Sequence, residues 1–361
     1  MSLQVLIVGG GVSGLRIGSL LSEHDLSFKI LESRERTGGR VLTEKADEEN
    51  YFDLGPTWFW PDNEQNISDL IGELDLATVP QYNVGDSLFE SSQSKEAIHI
   101  SSSEMNSRSL RLAGGIQTLV KALKEKVNSE NIMTSTKVTS VEHDGGDVVV
   151  NAYSSESDTA ESYRADVVVC TIPPRLLLEN VAFTPALPDA LEADLLGKPT
   201  WMGAQAKIIV TYDRPFWRDA GLSGNAISWA GPLKEIYDAT TENGKAALSS
   251  FFSLHPVVRA EMSEEAIRND VIIQLKKLFG EEAGNYDRIF YKDWSLDEHT
   301  ATDGDKQNIE SFPAYGPPPE WKKNILFAGT EYSSISGGHL EGAIASAHDI
   351  YFQLKKFYGL K

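Results

Sequence analysis

Residues 3–32 constrain this chain more than any other stretch. LQVLIV (3–8) is a short run, apolar but for Gln4, as a strand buried on both faces requires. It stops at Gly9-Gly10-Gly11-Val12-Ser13-Gly14, after which Leu15 to Ser22 read as a helix and FKIL (28–31) as a second strand ending on Glu32. A strand, glycine turn, helix and strand within about 30 residues form a βαβ unit. In this G-x-G-x-x-G, Gly9 permits the tight turn, Gly11 lets the backbone approach a pyrophosphate, and Gly14 lets helix and strand pack closely. Val12 and Ser13 open the helix whose positive end would face the phosphates. Glu32 is placed to accept hydrogen bonds from ribose hydroxyls and disfavours a 2′-phosphate. The bland alternative is a glycine turn beside an unrelated glutamate. FAD and NAD fit the motif equally well.

At 361 residues the chain is long for one core, which predicts two lobes. Apolar spacing predicts helices near 67–74 and 116–127, and another over 263–279 with Ser263 as N-cap. Strands are predicted at 147–153, 166–171, 205–212, 225–230, 247–253 and 324–328, and a final helix to about Phe357. There are 33 basic against 53 acidic residues, a net charge of -20. That balance argues against binding nucleic acid or an anionic membrane and mildly favours a cationic ligand, though acidity also simply keeps proteins soluble. With one cysteine, Cys170, no intrachain disulfide forms, and it reads as a buried strand residue. No apolar run is long enough to span a bilayer and no signal peptide is visible, so a cytoplasmic location is expected. The seven histidines show no ligand spacing, and no metal site is expected.

Residues 32–40 read Glu32-Ser33-Arg34-Glu35-Arg36-Thr37-Gly38-Gly39-Arg40. With this E-x-R-x-R-x-G-G-R, the chain resembles the flavin-containing amine oxidase superfamily, as a short bacterial-type member. That superfamily includes monoamine and polyamine oxidases and the related protoporphyrinogen oxidases and phytoene desaturases. Four more stretches match in order: Phe52-Asp53-Leu54-Gly55-Pro56-Thr57-Trp58, DVVVCTIPPR (166–175), KIIVTYDRPFWR (207–218), and Phe327-Ala328-Gly329-Thr330-Glu331 followed by Gly338-His339-Leu340-Glu341-Gly342-Ala343. The resemblance implies FAD, held further by Arg36, Gly39, Arg40, Gly55, Pro56, Thr57, Gly329 and Glu331, with Leu340 and Ala343 on a helix aimed at the flavin. It also implies that the backbone at Val138 meets the adenine, although an ordinary strand valine reads the same way. From pattern alone Lys207 is a solvated strand-edge lysine; the resemblance makes it a catalytic residue holding water against flavin N5. Trp294 would stand beside the flavin ring, or be plain core.

The chain also departs from the family. SLDEHTATDGD after Trp294 contains no cysteine, so the FAD should be non-covalent. The aromatic pair that faces the flavin in monoamine oxidases would fall at Thr302-Asp303-Gly304 and at His339, so the cage is missing or rebuilt. His339 is a candidate acid/base or substrate contact, with helix capping as its plain alternative; Trp58 and Thr302 are the other candidate substrate contacts. The expected fold is α/β, a two-domain FAD-dependent oxidoreductase. A Rossmann-like FAD-binding domain is assembled from 1–60, 105–183 and 311–361, and a mixed-sheet substrate domain from 61–104 and 184–310. The expected reaction is oxidation of an amine C–N bond by hydride transfer to N5, with oxygen as acceptor and a small-molecule substrate. The rivals are a nicotinamide, porphyrin or isoprenoid substrate, or a flavin-binding protein without turnover. Oligomeric state is not legible.

Overall fold

The computed structural model describes residues 2–101, 108–307 and 313–360. The strand Leu3–Val8 forms where the apolar run predicts, in parallel with Phe28–Leu31 on one side and Thr159–Cys170 on the other. Successive side chains of Leu3–Val8 point to opposite faces of the sheet. Val5 and Ile7 accordingly pack with Leu15, Ile17, Leu119 and Ile344, while Leu6 and Val8 pack with Val148, Val168, Leu177 and Leu195. Both faces are covered over Val5–Val8, which is why that part of the strand carries no polar residue. The sheet grows to eight strands through the antiparallel run Thr136–Asp144, Asp147–Ser154 and Thr159–Cys170, with Ile325–Phe327 also paired to the last. The helix Val12–Leu21 is buried along its whole length and lies against the final helix Leu340–Tyr358.

A second, seven-stranded sheet has the order Arg288–Asp293, Ala206–Tyr212, Ala246–Phe252, Leu233–Asp238, Leu222–Ser228, Asp86–Glu90, Ile98–Ile100. Its strand Ala206–Tyr212 is buried at all seven positions. Ile208, Val210 and Tyr212 face the helix Glu264–Phe279 through Ile267, Val271 and Leu275. Ile209 faces the other way, onto Phe52 and Leu54. Lys207, two residues before Ile209, points with it toward the segment around Gly55. Ser263 caps the helix Glu264–Phe279 by accepting from the Ala266 amide, as expected.

These two sheets give the expected α/β architecture with a Rossmann-like first half. The expected domain seams at 104/105 and 310/311 fall outside the described residues. Thr78–Pro80, from the stretch expected in the substrate domain, pairs with Leu110–Leu112, and Ala182–Thr184, which spans the expected seam at 183/184, joins the first sheet by pairing with Thr136–Asp144. Among the described residues, no helix is long and apolar enough to cross a membrane.

Candidate active site

The glycine turn is built by sterics. Gly9 has φ +111°, and a Cβ there would lie 2.5 Å from Thr171 Oγ1. A Cβ on Gly14 would lie 2.0 Å from the Gly9 carbonyl oxygen, so only glycine lets helix and strand approach this closely. Gly11 is different: a Cβ there meets nothing within 4 Å. Its role is therefore to leave space beside the turn. The helix it caps has no side-chain cap and no acidic residue in its first turn, so its free N–H groups suit an anion. Glu32 is buried; one carboxylate oxygen accepts from the Gly10 amide (2.8 Å) and the other from Arg34 N (2.8 Å). Glu32, Gly9 and Val138 line one cavity of about 60 Å³, with Ile172, Leu176 and His299. The space beside Gly11, the bare helix end and this lined cavity suit the phosphates and adenosine of a dinucleotide.

The G-G-R loop docks on this turn, with Gly38 N donating to the Gly10 carbonyl (2.8 Å). Arg36 spans the carbonyls of Thr37, Gly39 and Val41, so its guanidinium holds the loop in shape. Arg40 makes a bidentate pair with buried Glu331 (2.7 and 2.9 Å), joining this loop to the G-T-E turn. Gly329 N donates to Ser346 Oγ, and Ser13 Oγ donates to the Ala343 carbonyl (2.8 Å). Leu340 and Ala343 pack in the same core as Val12. Arg34, the first arginine of the E-x-R-x-R-x-G-G-R stretch, binds Asp297 bidentately.

Lys207 is not the solvated edge residue its pattern alone suggests. It is 2% exposed, because Arg288–Asp293 and Ala246–Phe252 flank its strand and the 51–57 segment covers its face. Its ammonium donates to the Gly55 carbonyl (3.0 Å) and to Thr57 Oγ1. The rings of Trp58 and Phe251 lie 5.4 and 5.5 Å from Nζ. Burial pushes the Lys207 pKa down to about 8, against the pull of Asp53. Trp294 is buried beside this group and donates from Nε1 to the Leu54 carbonyl (2.9 Å). The structure thus brings Gly55, Thr57, Trp58, Lys207 and Trp294 together around residues 54–58, with Pro56 inside that turn. Tyr237, 4.8 Å from the Trp58 ring, adds an aromatic wall that spacing gave no hint of.

His339 is the N-cap residue of the last helix, but its side chain makes no cap bond. Its Nδ1 instead lies 2.8 Å from buried Glu64 Oε1, and its ring sits 5.9 Å from that of Trp60. His339 thus stands at the helix end, with its imidazole turned to Glu64. Glu341 has the capping task, at another helix: its carboxylate accepts from the Asn66 and Ile67 amides at the start of Gln65–Glu73. Thr302 has a structural task too, since its hydroxyl and amide both donate to Asp305 Oδ2 (2.9 and 3.0 Å). The structure does not join it to Trp58 or His339 by any of these bonds. Sequence reasoning missed Glu64 and Trp60; the only signal was a carboxylate and a tryptophan just beyond the D-L-G-P-T-W match. Cys170 is buried in its strand, as expected, with its thiol pushed up to about 12 by burial. Among the described residues no group of histidine, cysteine and carboxylate side chains is placed to hold a metal ion.

Known proteins share the fold. Residues 84–349 match the family described as flavin containing amine oxidoreductase, and residues 7–74 match an NAD(P)-binding Rossmann-like domain. A probable flavin-containing monoamine oxidase A of Dictyostelium discoideum is 23% identical, over 98% of this chain and 97% of its own length. An L-amino acid dehydrogenase of Synechocystis is 22% identical, over 95% of this chain and 93% of its own. Among solved structures, a putrescine oxidase bound to putrescine superposes with a TM-score of 0.83 at 19% identity, over 99% of both chains. A cyclohexylamine oxidase from Brevibacterium oxydans gives 0.81 at 18% identity, over 98% of this chain and all of that one. The turn, the buried lysine and the matched family lead to one cofactor, FAD, and one class of enzyme, an oxidoreductase: the chain belongs to the flavin-containing amine oxidoreductase family.

Proposed function

We propose that this chain oxidises the C–N bond of a small amine carrying a second polar group. The observation that carries this reading is Lys207, a buried cation enclosed by Trp58, Phe251 and the carbonyl of Gly55. Burying an ammonium is costly, and a chain keeps one where a developing negative charge repays it. Bound FAD would supply the two-electron acceptor: the amine would lose a hydride to the flavin and a proton to become an imine, water would hydrolyse the imine, and oxygen would take the two electrons and two protons as hydrogen peroxide.

The protein's own part is to bind, orient and exclude water. Gly9 to Gly14, Glu32 and the Val138 backbone hold the nucleotide end, while Arg40, Glu331 and the start of the last helix hold the flavin end. Trp58, Tyr237 and Phe251 form a rebuilt apolar wall. His339, oriented by Glu64, offers a polar ring beside Trp60. That polar element supports a substrate with a second functional group, in line with relatives whose names refer to putrescine and L-amino acids. In this reading residues 1–60, 105–183 and 311–361 hold the cofactor and the rest hold the substrate. The FAD is non-covalent, because no cysteine follows Trp294.

A hydrogen-peroxide assay across diamines, amino acids, benzylamine, nicotinamides and aromatic alcohols tests the reading. Peroxide with diamines or amino acids is expected. Turnover confined to nicotinamides or alcohols overturns it. Acid precipitation should release all FAD into the supernatant, and colour remaining with the pellet overturns the non-covalent assignment.

A further inference from the structure

A cavity of about 30 Å³ is lined by Asp53, Thr57, Arg111, Glu242 and Ser249. Thr57 is the residue whose hydroxyl accepts from Lys207, so the cavity reaches the lysine's own hydrogen-bond partner. Asp53 is buried at the end of the strand Tyr51–Asp53. It accepts from Thr43 Oγ1 (2.5 Å) and Ile116 N (3.0 Å), and both bonds fall on Oδ1, leaving Oδ2 for the cavity. Arg111 Nε and Ser249 Oγ are buried without a hydrogen-bond partner. A space of this size with a carboxylate oxygen, a guanidinium N–H and a hydroxyl around it meets the requirements of an ordered water: room for about one molecule and two to four polar partners.

From this placement we propose that Asp53 is a positioning residue for Lys207, holding the buried ammonium in its charged form across a small hydrated chamber. The assignment rests on the reading of Lys207 as the lysine that serves the flavin, and it adds the group that serves the lysine.

The other charges around the pair do not fill that role. Arg111, from Leu110–Leu112, is a cation facing both and disfavours the charge on Lys207. Glu242, in the turn before Ala246–Phe252, is exposed and accepts from Gly114 N (2.7 Å). Lys292, the cross-strand neighbour of Lys207, is drawn off to Asp297 at 2.7 Å. Phe251 and Trp58 present only rings. Asp53 is thus the only carboxylate among these neighbours that is both buried and on the cavity. Burial raises its own pKa to about 6, so near neutral pH it is the anion of the pair.

The test follows the side chains themselves and needs no turnover. In flavin-loaded protein with labelled lysine, the Lys207 ε-methylene signal, assigned through Lys207→Met, should titrate near about 8. Asp53→Asn keeps an Oδ1 acceptor for Thr43 and Ile116. It should move that midpoint down by about one unit, since an opposite charge is lost. Arg111→Met removes a like charge and should move it up. A loosened core that admits water would raise the midpoint in both variants. A midpoint in Asp53→Asn that is unchanged or raised overturns the proposal. Where Asp53→Asn does not fold, the reciprocal measurement decides: in Lys207→Met the Asp53 carboxyl carbon should titrate higher than in the parent protein, and an unchanged value overturns the pairing. None of these readings depends on which substrate is oxidised, so a failed peroxide assay leaves them intact.

Discussion

The two ends of the site are built from different materials. The proposed nucleotide end is mostly backbone: a turn of glycines, a bare helix terminus and one carboxylate, all within residues 9–32. The proposed substrate end is side chains from distant parts of the chain: the group of Trp58, Lys207, Tyr237, Phe251 and Trp294, and the pair of Glu64 and His339. Backbone geometry leaves little choice of residue, so the first end is written as a motif. The second end is set by which strands cross, and any residue type that packs can occupy most of its positions.

The glycines test this contrast most severely. Gly14→Ala places a Cβ 2.0 Å from the Gly9 carbonyl and should yield no flavin-containing protein. Gly11→Ala meets no protein atom within 4 Å. It should cost the apoprotein no more than about 1 kcal/mol as a poorer N-cap, yet sharply weaken FAD binding. Comparing apoprotein melting with flavin titration separates the two, and equal behaviour of the variants would break the distinction between structural and cofactor-facing glycines.

Lys207 comes next in expected effect. With a pKa near 8, it is charged below that value and neutral above it. A reaction that needs the cation should therefore slow as pH rises through about 8. Lys207→Met should slow reoxidation by oxygen roughly a hundredfold, the scale of losing one fixed electrostatic group, with no remaining dependence on pH in that range. Stopped-flow traces in which the variant keeps the parent's high-pH limb would assign that limb elsewhere.

Glu32→Ala should weaken FAD by roughly ten- to a hundredfold, from about 1.5–3 kcal/mol of charge-assisted hydrogen bonding. Part of that loss is internal, because Glu32 also holds the Gly10 and Arg34 amides. Glu32→Gln should recover part of the binding, and a titration unchanged in Glu32→Ala would remove Glu32 from the cofactor site.

What could be read in advance follows the same division. The βαβ unit, the helix capped by Ser263 and the strand carrying Lys207 all stand where apolar spacing places them. The strands Asp86–Glu90, Leu233–Asp238 and Arg288–Asp293 escaped notice, because polar residues interrupt their alternation and only the neighbouring strands make them part of a sheet. Lys207 shows the limit most clearly. A lysine opening an apolar strand reads as solvated until the 51–57 segment is folded over it. Glu341 shows the converse: it lies between Leu340 and Ala343 in the matched stretch, but its carboxylate caps another helix at Asn66, 275 residues earlier. Long-range partners of this kind leave no periodic trace.

The smallest expected effect concerns His339, and it tests whether the side-chain end really sets selectivity. Its ring is a third exposed, held at one nitrogen by Glu64 and flanked by Trp60. In the proposed reading the imidazole meets a substrate's distant polar group. An aromatic ring at this position would only pack against a neutral amine, whereas the imidazole adds one hydrogen bond. Losing a single hydrogen bond to a charged group costs about 1.5 kcal/mol or somewhat more, so His339→Ala should raise KM for a diamine or amino acid by roughly tenfold. The kcat should change little, because the contact is made equally in ground and transition states. Benzylamine, which has no second polar group, should be a poor substrate for both proteins and should not distinguish them. Glu64→Gln keeps an acceptor for the Trp60 amide while weakening the hold on the ring, and should fall between the parent and His339→Ala. Brisk benzylamine oxidation by the parent protein, or equal KM changes for benzylamine and a diamine, would show that the pocket is selected by packing alone. The search for the polar contact would then move to Tyr237 and Gln81 around Trp58.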